Sequence, residues 1–150
     1  MALSVAAGTE TLHALSFGDA DATQDLIVGA VHHIYTVLST FVYSISIGTA
    51  GDTFQLAILG NGHHAGGTAH LMIIAKVVSV AGQTFIFNDK FSFNGFGGAA
   101  YTEPMDTNVE QLAIAQQGGT LNRYQYIPLD ADVDCDIHVT FIDQNNELEK

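Results

Sequence analysis

The densest array of reactive side chains in the 150-residue chain is Asp130-Ala-Asp-Val-Asp-Cys-Asp136, with a carboxylate at every second position. In an extended segment Asp130, Asp132, Asp134 and Asp136 project from one face, and Ala131, Val133 and Cys135 from the other. Carboxylates about 7 Å apart along a strand repel one another unless water, a cation or a basic partner offsets them. Two readings follow. The four aspartates are ligands for Ca²⁺, a hard cation that takes several carboxylate oxygens. Alternatively they form a solvated acidic edge, which also discourages edge-to-edge aggregation. The spacing matches the start of an EF-hand loop, but Cys135 stands where the turn glycine belongs and Phe141 where the bidentate glutamate belongs.

Seven histidines form the second reactive set, with His32-His33, His63-His64 and His70 the clearest candidates for a transition metal. Neighbouring residues of a strand point to opposite faces, so His32 and His33 do not serve one site. His63 and His64, in the glycine-rich stretch Gly60 to Gly67, have no such restriction. No H-E-x-x-H or facial-triad spacing is present, nor a nucleophile elbow, P-loop or dinucleotide fingerprint. The glycines at Gly60-Asn-Gly62 and Gly95-Phe-Gly-Gly98 read as turns. Cys135 is the one cysteine, which excludes an intrachain disulfide and a multi-cysteine zinc site. Its aspartate neighbours raise its pKa, and free cysteine is commonly buried, so it reads as an inert thiol. The expectation is a protein with no catalytic residues and no required cofactor, Ca²⁺ being the one ion its sequence invites.

These residues must be held by a core, and composition supplies one. Hydrophobic residues make up 47% of the chain, enough for a single domain of this length to fold without staples. Sixteen acids against four bases give a formal charge of -12. Such a surface repels phosphate backbones and anionic headgroups, which argues against nucleic-acid and membrane partners. The N-terminal Met1 to Gly8 lacks the positive segment of a signal peptide, and no apolar run reaches about 18 residues. The expectation is a soluble protein that is not secreted by a signal peptide.

β-Branched and aromatic residues dominate the chain, with glycine or asparagine at short intervals. Thr40 to Ile47 alternates after its first residues, placing Tyr43, Ile45 and Ile47 on one face and Ser44 and Ser46 on the other. Thr53 to Leu59 places Phe54, Leu56 and Ile58 together. Leu71 to Val80 is apolar on both faces and reads as a central strand buried on two sides. Gln83 to Phe93 reads as a hairpin or as one long strand with a bulge at Asn88-Asp-Lys90. Val109 to Ala115, Leu121 to Ile127 and Ile137 to Ile142 are further strands, and Asp143 to Lys150 is a polar surface tail. Ala20 to Val31 is the best candidate for a helix, with Asp19 or Asp21 as N-cap, and equally a strand. About eight or nine short strands with frequent turns predict one all-β domain over residues 1–150, an antiparallel β-sandwich of jelly-roll type.

Val31-His-His-Ile-Tyr-Thr-Val37, Thr40-Phe-Val-Tyr-Ser-Ile-Ser-Ile47 and Phe54-Gln-Leu-Ala-Ile58 resemble the opening strands of small β-sandwich proteins of tailed-phage particles. There an I-Y-T-V strand leads by a short turn to a second strand and then to a T-F-x-L strand. This chain departs from that pattern where Leu38-Ser39 replaces the usual Pro-Ala-Gly turn. The resemblance implies a virion protein, in particular a head decoration (cement) protein that binds neighbouring shell subunits, assembled in the host cytoplasm. Its partners would be the major capsid protein or another virion protein, and itself as a homodimer or homotrimer. A fibre or tail component on the same sandwich, and a ligand-binding sandwich for glycan or Ca²⁺, are the alternatives. On this reading residues 1–18 form an N-terminal arm whose Leu3, Val5, Leu12, Leu15 and Phe17 contact a neighbour, with Tyr101 as a second contact.

Overall fold

The longest strand departs from the alternation its sequence displays. In His33–Ser46 (β3), Tyr35 and Val37 face the core, Leu38 is an unpaired bulge, and Thr40, Val42 and Ser44 then resume the inward positions. The extra residue inverts the facing of everything after it. Ser44 is therefore 3% exposed and Tyr43 42% exposed, the reverse of the assignment read from the sequence. Two buried hydroxyls on an inner face are tolerated because each has a partner. Thr40 Oγ1 lies 2.8 Å from the Tyr124 hydroxyl, and Ser44 Oγ lies 2.6 Å from Ser79 Oγ. Nor does a turn separate the two halves at Leu38-Ser39, since the ladder to the neighbouring strand continues through it.

The computed structural model describes residues 9–30, 33–61, 69–95 and 122–145. Besides β3 these contain β1 (Thr9–Ala20), β2 (Gln24–Val28), β4 (Thr53–Asn61), β5 (Ala69–Val78), β6 (Thr84–Phe87), β7 (Phe91–Asn94), β8 (Arg123–Pro128) and β9 (Asp134–Asn145). One sheet has the order β1-β9-β3-β6, with β7 also on β3, and the other β2-β8-β4-β5. All pairings are antiparallel. Most connections cross between the layers and give the two interleaved Greek keys of a jelly roll, as the strand pattern predicts. Of the two readings for Gln83 to Phe93 the bulged strand holds. β6 runs along Thr40 to Tyr43 and β7 along Ile34 to Val37, end to end on the same side of β3.

The core between the sheets is built from Phe54 and Leu56 of β4, Tyr124 and Tyr126 of β8, Val37 and Val42 of β3, and Cys135, Ile137 and Val139 of β9. Phe85, Phe87, Phe91 and Phe93 pack against it from the interrupted strand, with Phe54 and Phe85 ring centroids 6.0 Å apart. At one end of the sandwich Gly29 and Gly95 let three segments meet. Gly29 N donates to Asn122 O, Asn122 N to Gly95 O, and Gly95 N to His33 O. A Cβ on either glycine would overlap backbone of its neighbour.

Two expectations are corrected by this layout, while of the two readings of Ala20 to Val31 the strand holds, since β2 occupies its middle and pairs with β8. The apolar run Leu71 to Val80 is not central: β5 is an edge strand, paired with β4 alone among the described residues. Finally, β9 continues to Asn145, so Asp143 to Asn145 belong to the sheet and not to a surface tail. Val109 to Ala115 lies outside the described residues.

Candidate functional site

The four aspartates of the acidic run are not brought to one place. Asp130 is spent on structure: its Oδ2 accepts from Thr53 N at 2.8 Å and its carbonyl from Val133 N at 3.3 Å, closing the turn before β9. Asp132 lies against Gly48, exposed. Asp134 and Asp136 open β9, flanking buried Cys135, and Asp136 Oδ1 accepts from Asp19 N at 3.0 Å. Asp19 has a left-handed backbone (φ 50°), a conformation that aspartate tolerates better than most residues. Desolvation pushes the Asp134 carboxyl above its ordinary range, and the charges of Asp19, Asp21 and Asp136 add to this. The acids that gather at this corner therefore come from two separate stretches of sequence, and Asp19 and Asp21 were legible only as caps. Among the described residues no group of three or more His, Cys, Asp or Glu side chains is disposed to hold a metal ion.

The histidines disperse as well. His33 Nδ1 and Asp143 Oδ1 are 2.6 Å apart, and the imidazole stacks on Tyr35. His70 is exposed on β5. His32, His63 and His64 lie outside the described residues. Cys135 is buried, as its sequence context predicts. Burial pushes its thiol pKa up, hydrogen bonds with Tyr126 and Ser44 draw it down, and Asp134 and Asp136 push it up again.

Of the partner-contact residues, Leu3, Val5 and Tyr101 lie outside the described residues. Leu12, Leu15 and Phe17 lie on β1, an edge strand of the first sheet paired to β9. Phe17 packs against the core, while Leu12 and Leu15 are exposed.

Two surfaces escaped the sequence reading. The outer face of the first sheet carries Phe41, Tyr43 and Ile86, all exposed, beside His138. A shallow open groove of about 420 Å³ crosses it, lined by Phe41, Tyr43, Thr84, His138, Asp136 and Ser16, among others. His138 is held there by Ser16 (2.8 Å) and stacks on Phe41. The bulge in β3 contributes to this patch, since it turns Tyr43 outward together with Phe41. The second surface is β5, where Met72 and Val78 are each 61% exposed and Ile73 is exposed too, with exposed Val80 just beyond its end. On the second sheet, Asp25 holds Arg123 (3.0 Å) and Gln125 (2.7 Å) in a polar cluster.

This arrangement defines a β-sandwich module with apolar side chains on an outer sheet face and along a sheet edge. No protein-family model matches the chain, and no curated protein does. Among solved structures it is similar to a chain from Bacillus endospore appendages, described as a family of disulfide-linked pili. That match has 11% identity and a TM-score of 0.40 over 93% of this chain and 88% of the other. It is also similar to a chain in the structure of infectious bursal disease virus, Gx strain, with 12% identity and a TM-score of 0.27 over 97% of this chain and 40% of the other. Likenesses at this level carry nothing about function.

Proposed function

We propose that this chain is a non-enzymatic structural module that works by assembly, with its apolar strands as contact surfaces. The observation that carries this is the pair of exposed apolar surfaces, Phe41, Tyr43 and Ile86 on one sheet and Met72, Ile73 and Val78 on the other. Contiguous exposed apolar side chains on a soluble domain mark sites of interaction. The jelly roll is a frame used for shell-forming and lectin domains alike. The phage-particle character of residues 31–58 gives the particular reading: a capsid decoration protein, located in the virion, that binds the major capsid protein and copies of itself.

Gradient sedimentation of material from the native source, following this chain by peptide mass spectrometry, tests that reading. Co-migration with large particles in fixed ratio to a major shell protein is the expected result. A chain that stays near the top of the gradient as a small species would overturn the virion assignment.

A further inference from the structure

The exposed apolar side chains are not spread evenly with respect to charge. All sixteen acids lie outside Thr53 to Asn88, a stretch whose one base is Lys76. β4, β5 and β6 all come from that stretch, so among the described residues one side of the sandwich is built of strands without an acid. There β5, the edge of the second sheet, stands beside β6, at the edge of the first. Residues Val77 to Val80 and Gln83 to Phe85 line a small shared cleft of about 120 Å³ between them. Five exposed large apolar side chains sit on this side: Met72, Ile73, Val78, Val80 and Ile86. Among the described residues the acids at its margins are Asp52, whose carboxylate is occupied by the amides of Gly48 and Thr49, and Asp89, next to Lys90 in the chain.

Natural edge strands are protected by charge, proline or a covering element. Across its ten residues β5 has one lysine, no proline and no further strand beside it among the described residues. We infer that β5 is the site of self-association: a second copy of this chain adds antiparallel to β5 about a two-fold axis, joining two four-stranded sheets into one of eight. Charge selects this occupant. Two copies that each carry -12 repel over most of their surfaces and meet at least cost where the acids are missing. A basic partner would instead be drawn to the opposite, acidic side. The edge amides and carbonyls of β5 gain partners, and Ile73 and Val78 are covered by their counterparts.

This inference rests on the assembly reading and gives it a location. Its test is sedimentation equilibrium of the purified chain and of three variants, Ile73→Glu, Val78→Glu and Lys76→Glu, with Val28→Glu on β2, at the other edge of the same sheet, as control. All four positions are exposed, and far-ultraviolet circular dichroism reports whether each variant keeps its strands. The expected result is a wild-type dimer that tightens as salt screens the net charge. Each β5 substitution weakens it at least about a hundredfold, because the two-fold repeats every introduced charge. Val28→Glu leaves it unchanged. A wild-type chain that is monomeric throughout, or β5 variants that dimerise like wild type, would overturn the inference. In the second case self-assembly survives and only its place on β5 falls, whereas the particle gradient judges the structural role by itself.

Discussion

The pair formed by Thr40 and Tyr124 shows how a polar residue comes to occupy an inner face. Both side chains are fully buried and 2.8 Å apart, so among the described residues each hydroxyl is satisfied by the other. Removing one partner leaves a buried hydroxyl without a bond, at a cost of about 1–3 kcal/mol, while removing both with shape preserved costs far less. Thr40→Val and Tyr124→Phe should therefore each destabilise the fold in denaturant titrations, and the double variant should be more stable than the sum of the two losses implies. The same pair sets an alkaline limit. Burial pushes the Tyr124 hydroxyl from 10.0 up to about 12, although its bond with Thr40 draws it down. Between those values the unfolded chain loses this proton while the folded chain keeps it, so stability falls as pH rises from about 10 to 12. Burial raises Tyr126 and Tyr35 as well, which adds to the loss. Tyr124→Phe should make the decline in melting temperature over that window shallower. A slope equal to wild type would show that Tyr124 ionises equally in both states.

At the scale of elements, the strands were legible where alternation was unbroken and misread where a single residue broke it. Phe54, Leu56 and Ile58 lie toward the core as their spacing predicts, and so do the phenylalanines at 85, 87, 91 and 93. In β3 the period of two is present in the sequence, but its phase depends on Leu38, which no propensity marks as a bulge. In β5 an apolar run implies burial on both faces only when strands flank it on both edges, and strand order is a property of the whole sheet. Leu38 is half-buried and stands outside the ladder, between Val37 opposite Phe141 and Ser39 opposite Thr140. Its deletion would join those two positions into a regular ladder and leave Thr40, Val42 and Ser44 facing inward. Deleting Leu38 should therefore cost about as little as Leu38→Ala, about 1 kcal/mol. Urea titration of the two variants checks this: a deletion that removed several of the roughly 5–15 kcal/mol that stabilise a domain would mean that the local twist of the bulge is needed, and not only the facing it sets.

Among the described residues β4, β5 and β6 carry no acid, and aspartates crowd where β1 meets β9, a corner at which Asp136 also borders the Phe41 and Tyr43 patch. Asp19 and Asp21, at the end of β1 and just beyond it, stand near Asp134 and Asp136 at the start of β9, and Asp134 is held above its ordinary pKa there. The alternating run showed that carboxylates would crowd, but the crowding arises between two segments far apart in sequence. Like charges held together by folding are separated when the chain unfolds, so their repulsion counts against the native state. Asp21→Asn removes one of them at an exposed position that makes no core contact. It should raise the melting temperature by about 1–2 °C at low salt, in line with surface changes of about 0.5 kcal/mol. The gain should fade in 1 M salt, where the screening length shrinks to about 3 Å. Asp89→Asn, which neutralises an acid adjacent to Lys90, supplies the control and should give no such gain. Were both substitutions to stabilise equally, the benefit would come from lowering net charge in general. A gain confined to Asp21 would place the strain at the junction of β1 and β9.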